Sequence, residues 1–216
     1  MNEDLAAAIE HTLLRATATP DEIRRLCAEA RIHGFCGVCV NPRFVALAAR
    51  ELADVPPRVV TVVAFPLGAS VPEVAAFEAQ RAIADGADEL DLVIPIGEAL
   101  GGDLEAVARA VGTVREATRG ATLKVILETG CFTESQLDAV ARAALCAAPD
   151  FLKTSTGFGP RGASVEDVRT LVALGAGRTQ VKAAGGIRSA ADARALLAAG
   201  ATRLGTSSGV ALVAGR

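Results

Sequence analysis

The chain contains no tryptophan and no tyrosine, a single methionine, and only two histidines in 216 residues. Without Trp or Tyr there is little aromatic surface for stacking on bases or sugars. The two histidines, His11 and His33, are too few for a His-rich metal centre. Basic residues are not in excess, with 22 Lys and Arg against 25 Asp and Glu and a net charge of -3. Nucleic-acid binding, which usually shows a basic surface, is therefore not expected. The apolar runs are short and interrupted, so no membrane span is expected. Five cysteines, an odd number, suit free thiols in a reducing cytoplasm rather than a disulfide framework. The start, Met1-Asn2-Glu3-Asp4, is acidic and does not read as a signal or transit peptide.

What is present is a large apolar fraction, 51% of residues, with 22% charged. That suits one compact domain over 1–216, and α/β barrels reach this size as a single domain. Strand-like segments are expected at 11–14, 37–40, 59–65, 89–94, 123–128, 151–154, 180–184 and 203–207. They recur every ~20–35 residues, the length of one βα unit in an eightfold barrel. Helix starts are readable between them. Thr19-Pro20-Asp21-Glu22 combines a capping box with proline at the first helical position. Similar logic applies at Ser70-Val71-Pro72-Glu73, Thr133-Glu134-Ser135-Gln136, Ser164-Val165-Glu166-Asp167 and Ser189-Ala190-Ala191-Asp192. Gly86 and Gly200 are placed to close helices in the left-handed region. A dinucleotide fold would want Gly-x-Gly-x-x-Gly after the first strand, and it is missing. A flavodoxin-like sheet would need fewer strands. The expected fold is α/β, a single-domain (β/α)8 TIM barrel.

Two lysines stand at the ends of segments that read as buried strands, each before a glycine-containing loop. Lys153 lies in Phe151-Leu152-Lys153-Thr154-Ser155-Thr156-Gly157. Lys182 lies in Val181-Lys182-Ala183-Ala184-Gly185-Gly186. A buried ammonium is costly unless paired or put to use. Two on successive strands would repel; at ~5 Å and an effective dielectric near 20 the repulsion is roughly 3 kcal/mol. That favours a neutral amine, which attacks carbonyls. Asp91 interrupts the apolar run Leu90-Asp91-Leu92-Val93-Ile94 and shares a face with Glu89 and Val93, pointing into the barrel. Asp91, Lys153 and Lys182 carry a net positive charge, so one lysine lacks a full partner. A purely structural ion-pair cluster is the alternative reading.

Barrel active groups sit at the carboxyl ends of strands, a walk that also meets Thr12, Cys39, Glu128 and Ser207. The loops Gly185-Gly186-Ile187-Arg188 and Gly205-Thr206-Ser207-Ser208-Gly209 follow the seventh and eighth strands, where barrels often bind phosphate through bare amides and hydroxyls. Glu128 is expected to hydrogen-bond the interior lysines. Cys36 and Cys39, with His33 nearby, resemble a redox or metal motif. Alternation places the two thiols on opposite faces, and no second ligand pair exists. They are read as buried inert thiols, with Cys39 free to line the pocket.

These segments together resemble the deoxyribose-phosphate aldolase family. The likeness is carried by Glu10-His11-Thr12-Leu13-Leu14, Val38-Cys39-Val40-Asn41-Pro42, Phe65-Pro66-Leu67-Gly68, Lys124-Val125-Ile126-Leu127-Glu128-Thr129 and the two lysine segments. It implies that Lys153 forms a Schiff base and that Asp91 and Lys182 are a proton relay. It implies phosphate contacts from Gly185, Gly186, Ser207 and Ser208, to which Gly157 and Arg188 are added as candidates and Thr12, Cys39 and Thr156 as pocket lining. No metal or other cofactor is implied. The expected partner is a small phosphorylated sugar, with neither nucleic acid nor membrane. A homo-oligomer is compatible with apolar helix faces. Glu10 stands where many members have Asp, and Phe158 where some have lysine.

Overall fold

The computed structural model describes residues 3–53 and 55–215. Residues 1, 2 and 216, the ends of the expected domain, lie outside them. Eight parallel strands close into a barrel in chain order. They are β1 (Ile9–Leu13), β2 (Gly37–Val40), β3 (Arg58–Val63), β4 (Glu89–Val93), β5 (Thr122–Ile126), β6 (Phe151–Lys153), β7 (Gln180–Ala184) and β8 (Arg203–Thr206). The helices are α1 (Glu3–Ala8), α2 (Pro20–His33), α3 (Val45–Glu51), α4 (Pro72–Ala84), α5 (Ile96–Leu100), α6 (Leu104–Ala117), α7 (Glu134–Leu145), α8 (Val165–Gly175), α9 (Ala190–Ala198) and α10 (Gly209–Val213). This is a TIM barrel, as the βα spacing predicts.

All eight strands fall where expected, and the differences lie at their ends. The third and fifth stop short of residues 65 and 128. Ala64 and Glu128 take left-handed φ angles of 53° and 55°, which turn the chain out of the sheet. Thr19 and Thr133 form complete capping boxes, and Ser164 and Ser189 cap the helices that follow them. Ser70 does not. The residue before α4 is Val71, with no side-chain cap, because Pro72 already occupies the first helical position. Gly86 and Gly200 have positive φ, 104° and 107°, just beyond α4 and α9.

Alternation along the strands divides the core in two. Val38, Val40, Leu90, Leu92, Leu123, Val125, Leu152, Val181 and Leu204 pack outward in the large cluster shared with the helices. Inside the barrel, a small apolar group of Leu14, Cys39, Val60 and Val62 occupies one side. TIM-barrel interiors are usually filled by layers of branched apolar side chains. In this chain much of that space is ionic. Glu10, Glu89, Asp91, Lys124, Lys153 and Lys182 are all buried. Strand register explains why they meet: Asp91 is paired with Lys124, and Lys153 with Lys182.

Candidate active site

Asp91 is the hub. One carboxylate oxygen, Oδ2, accepts hydrogen bonds from Lys153 Nζ and from Lys182 Nζ, each at 2.6 Å. The two amines can therefore be no farther apart than twice that distance. Its other oxygen, Oδ1, accepts from Lys124 Nζ at 3.1 Å. Lys182 also pairs with Glu10. Lys124 lies 3.5 Å from Glu10 and 2.5 Å from Glu89, and Arg203 reaches both acids at 3.4 and 3.5 Å. The connected group thus holds three carboxylates against four cations.

The excess positive charge does not fall evenly. Lys182 touches two carboxylates, and its pKa is raised: Asp91 and Glu10 more than offset the burial that opposes its charge. Lys124 is raised in the same way, against the same burial. Lys153 touches Asp91 alone. Its pKa is lowered, chiefly by burial and then by the charge on Lys182, with Asp91 pulling the other way. The sequence points to the neighbouring ammonium as the main cause; in the structure desolvation is the larger one. Asp91 is held well below the ordinary carboxylate range, because Lys124, Lys153 and Lys182 together outweigh its burial. A neutral Lys153 would leave three cations facing three carboxylates.

Lys153 also opens into a cavity of about 420 Å³ at the carboxyl ends of the strands. Thr12, Thr156, Gly157, Gly185, Gly186, Arg188, Ser207 and Ser208 line it, so the structure brings these expected positions together. Asp91 and Lys182 lie beneath its floor and are not part of its lining. Cys39 is completely buried inside the barrel and does not line the cavity either. Burial pushes its thiol up to about 11, and that of Cys36 likewise. Cys36 donates to the Ile9 carbonyl at 3.0 Å.

Glu128 does not bond the lysines. Its left-handed backbone turns the carboxylate across to the neighbouring loop, where it accepts from the Thr156 amide at 3.2 Å and from the Thr156 hydroxyl. Thr156 Oγ1 in turn accepts from the Phe158 amide at 3.0 Å. Glu128 thus shapes the loop that carries Gly157. Behind that loop, Gly162 and Gly185 touch backbone to backbone. A Cβ on Gly162 would sit 2.1 Å from the Gly185 carbonyl oxygen, and the Ala163 amide bonds that same oxygen at 3.1 Å.

Four members of this network were given no role by the sequence reading: Glu10, Glu89, Lys124 and Arg203. Lys124 stands in the apolar run Leu123-Lys124-Val125-Ile126, the same signal that marks Lys153. Arg203 sits at the start of a short strand, where an arginine gives no warning that it reaches inward and is largely buried.

The barrel and the amine at the floor of its cavity define an enzyme of the aldolase class. The chain belongs to the DeoC/LacD aldolase family, whose model matches residues 5–215. It is 56% identical over 212 residues to a deoxyribose-phosphate aldolase of Thermus thermophilus, covering 98% of this chain and 96% of that protein. The deoxyribose-phosphate aldolase of Deinococcus radiodurans is 51% identical over 211 residues, with 98% and 96% covered. Among solved structures, a tetrameric deoxyribose-phosphate aldolase from Aeropyrum pernix superposes with a TM-score of 0.91 at 36% identity, covering 99% of this chain and 91% of that one. Among the described residues, no helix is long and apolar enough to cross a membrane.

Proposed function

We propose that this protein reversibly cleaves 2-deoxy-D-ribose 5-phosphate to acetaldehyde and D-glyceraldehyde 3-phosphate through an imine on Lys153. One observation carries the assignment. Of the three buried lysines joined to Asp91, Lys153 alone lines the cavity, and it has the fewest carboxylate partners. The named activity of the Thermus and Deinococcus relatives supports the substrate.

In this reading neutral Lys153 adds to the sugar aldehyde, and loss of water leaves a protonated imine. That cation accepts the electron pair of the C2–C3 bond. Asp91 and Lys182 act, through a bridging water, as the relay that takes the C3 hydroxyl proton, and the bond breaks to an enamine and glyceraldehyde 3-phosphate. The relay then protonates the enamine at its terminal carbon, and water releases acetaldehyde. Asp91 suits this task because one of its oxygens is shared between the two amines. The phosphate end is assigned to Gly157, Gly185, Gly186, Arg188, Ser207 and Ser208, where glycines let an anion approach bare amides. The reading also takes 1–216 as one aldolase domain, acting in the cytoplasm without nucleic acid. It includes a homo-oligomer, supported by the exposed Leu67, Val71, Val74 and Phe77 at and just before the start of α4.

The test is reductive trapping. Borohydride added with acetaldehyde is expected to inactivate the enzyme and to leave one ethyl group on Lys153, found by peptide mapping. Label on Lys182 would reverse the assignment of roles, and an unlabelled, fully active enzyme would overturn the imine altogether.

A second expectation concerns the phosphate end. Gly162→Ala puts a methyl into the Gly185 carbonyl and must displace the anion loop. The KM for the phosphorylated sugar is expected to rise by about tenfold or more, a loss of roughly 1.4 kcal/mol in binding. Trapping of acetaldehyde on Lys153 should persist. Steady-state kinetics with both ligands checks this.

A further inference from the structure

Arg15 has no assigned role, yet it lines the same cavity as Lys153. It follows β1, which pairs with β8 to close the barrel, so its loop neighbours the one that carries Ser207 and Ser208. Among the described residues no carboxylate lines the cavity, and the charged side chains that do are Arg15, Arg188 and Lys153. The backbone at Arg15 is anchored. Asn41 donates to the Leu14 carbonyl at 3.2 Å, and the Ala18 amide bonds the Arg15 carbonyl at 3.1 Å.

The side chain is held loosely. Arg15 is 47% exposed and pairs with Glu22, itself 30% exposed. An ion pair so open to water is weak. Glu22 has other partners as well. Its second oxygen, Oε2, accepts from the Thr19 amide and the Thr19 hydroxyl, both at 3.0 Å, within the capping box of α2. Arg15 can therefore leave without stranding Glu22. A guanidinium with a planar fork is the side chain best suited to a phosphate dianion.

We propose that Arg15 is a specificity-determining residue for the phosphate end of the substrate, exchanging Glu22 for the anion and facing it from the β1 side of the cavity. Glu22 then serves as a parking place that keeps the guanidinium near the mouth while the site is empty. The inference deepens the aldolase reading and rests on it for the identity of the anion. The role belongs to binding rather than to bond cleavage.

The experiment compares wild type with Arg15→Gln and Arg15→Lys on 2-deoxyribose 5-phosphate and on unphosphorylated 2-deoxyribose, alongside calorimetric titration with inorganic phosphate. Arg15→Gln is expected to raise the KM for the phosphorylated sugar about tenfold and to leave kcat within twofold. Its selectivity for the phosphorylated sugar over the free one should fall by the same factor. Inorganic phosphate should bind correspondingly more weakly, and Arg15→Lys should recover part of each loss. An unchanged KM, or an equal loss on both sugars, overturns the proposal; the second result would mark Arg15 as a prop for the end of β1. Should wild type turn over neither sugar, the aldolase reading fails by itself. Phosphate titration still decides the role of Arg15, since equal affinity in wild type and Arg15→Gln refutes it.

Discussion

Lys153→Met is expected to lower turnover of 2-deoxyribose 5-phosphate by about 10⁴-fold or more if the proposed imine is right, because among the described residues no other lysine lines the cavity. The same change should leave the protein as stable as before, or more so. The pKa of Lys153 is lowered in the folded state from an ordinary value of 10.5. Below pH 10.5 the unfolded chain therefore holds that proton more readily than the folded one, and the lysine works against folding. The cost is complete below the folded pKa and vanishes above 10.5. Methionine of similar length removes it and leaves three cations facing three carboxylates. Urea denaturation is expected to give an unfolding free energy at pH 7 no lower than that of wild type, with any gain shrinking toward pH 11. Loss of activity together with loss of stability would instead make Lys153 a structural ion-pair member.

Asp91→Asn should act in the opposite sense. The substitution leaves four cations facing two carboxylates inside the barrel. Breaking a buried charge network on one side costs about 3–5 kcal/mol. Turnover should fall by roughly 10²–10⁴ as the relay loses its shared carboxylate. Asp91 has a folded pKa below its ordinary 3.8. Its contribution to stability is therefore fully present above that pH and fades as pH drops below it. The gap between wild type and variant should be largest near neutrality and narrow in acid. Lys153 loses its one carboxylate partner, so the acid limb of kcat/KM should move to lower pH. Adding Lys124→Met removes one of the stranded cations. The double variant should regain part of the stability and none of the activity, which separates the hub's two contributions.

The barrel was legible because each βα unit announces itself twice. Apolar strands are bounded by turn residues, and Thr19, Thr133, Ser164 and Ser189 mark where helices begin. Lys153, Lys182 and Asp91 were legible for a related reason: a charge inside an apolar run has no innocent explanation in a parallel sheet. Lys124 carries the same mark but stands one strand before the lysine that draws notice. Arg203 and Arg15 carry no such mark, because an arginine at an element's edge is ordinary surface until closure of the barrel shows what lies beside it. Glu128 was misplaced because alternation assumes an extended chain, and its backbone had already turned left-handed. The Gly162–Gly185 contact was invisible for a similar reason. Nothing in either loop alone says that two distant backbones will touch.

Lys182 meets Glu10 across 172 positions of sequence, and Asp91 reaches Lys153 and Lys182 across 62 and 91. None of these pairs can form in a half-made chain emerging from synthesis. Before those partners meet, a solvated Lys153 would keep an ordinary lysine pKa and react with aldehydes no faster than any other lysine. On the aldolase reading, the reactivity of Lys153 would arise together with the walls that decide which carbonyl may enter.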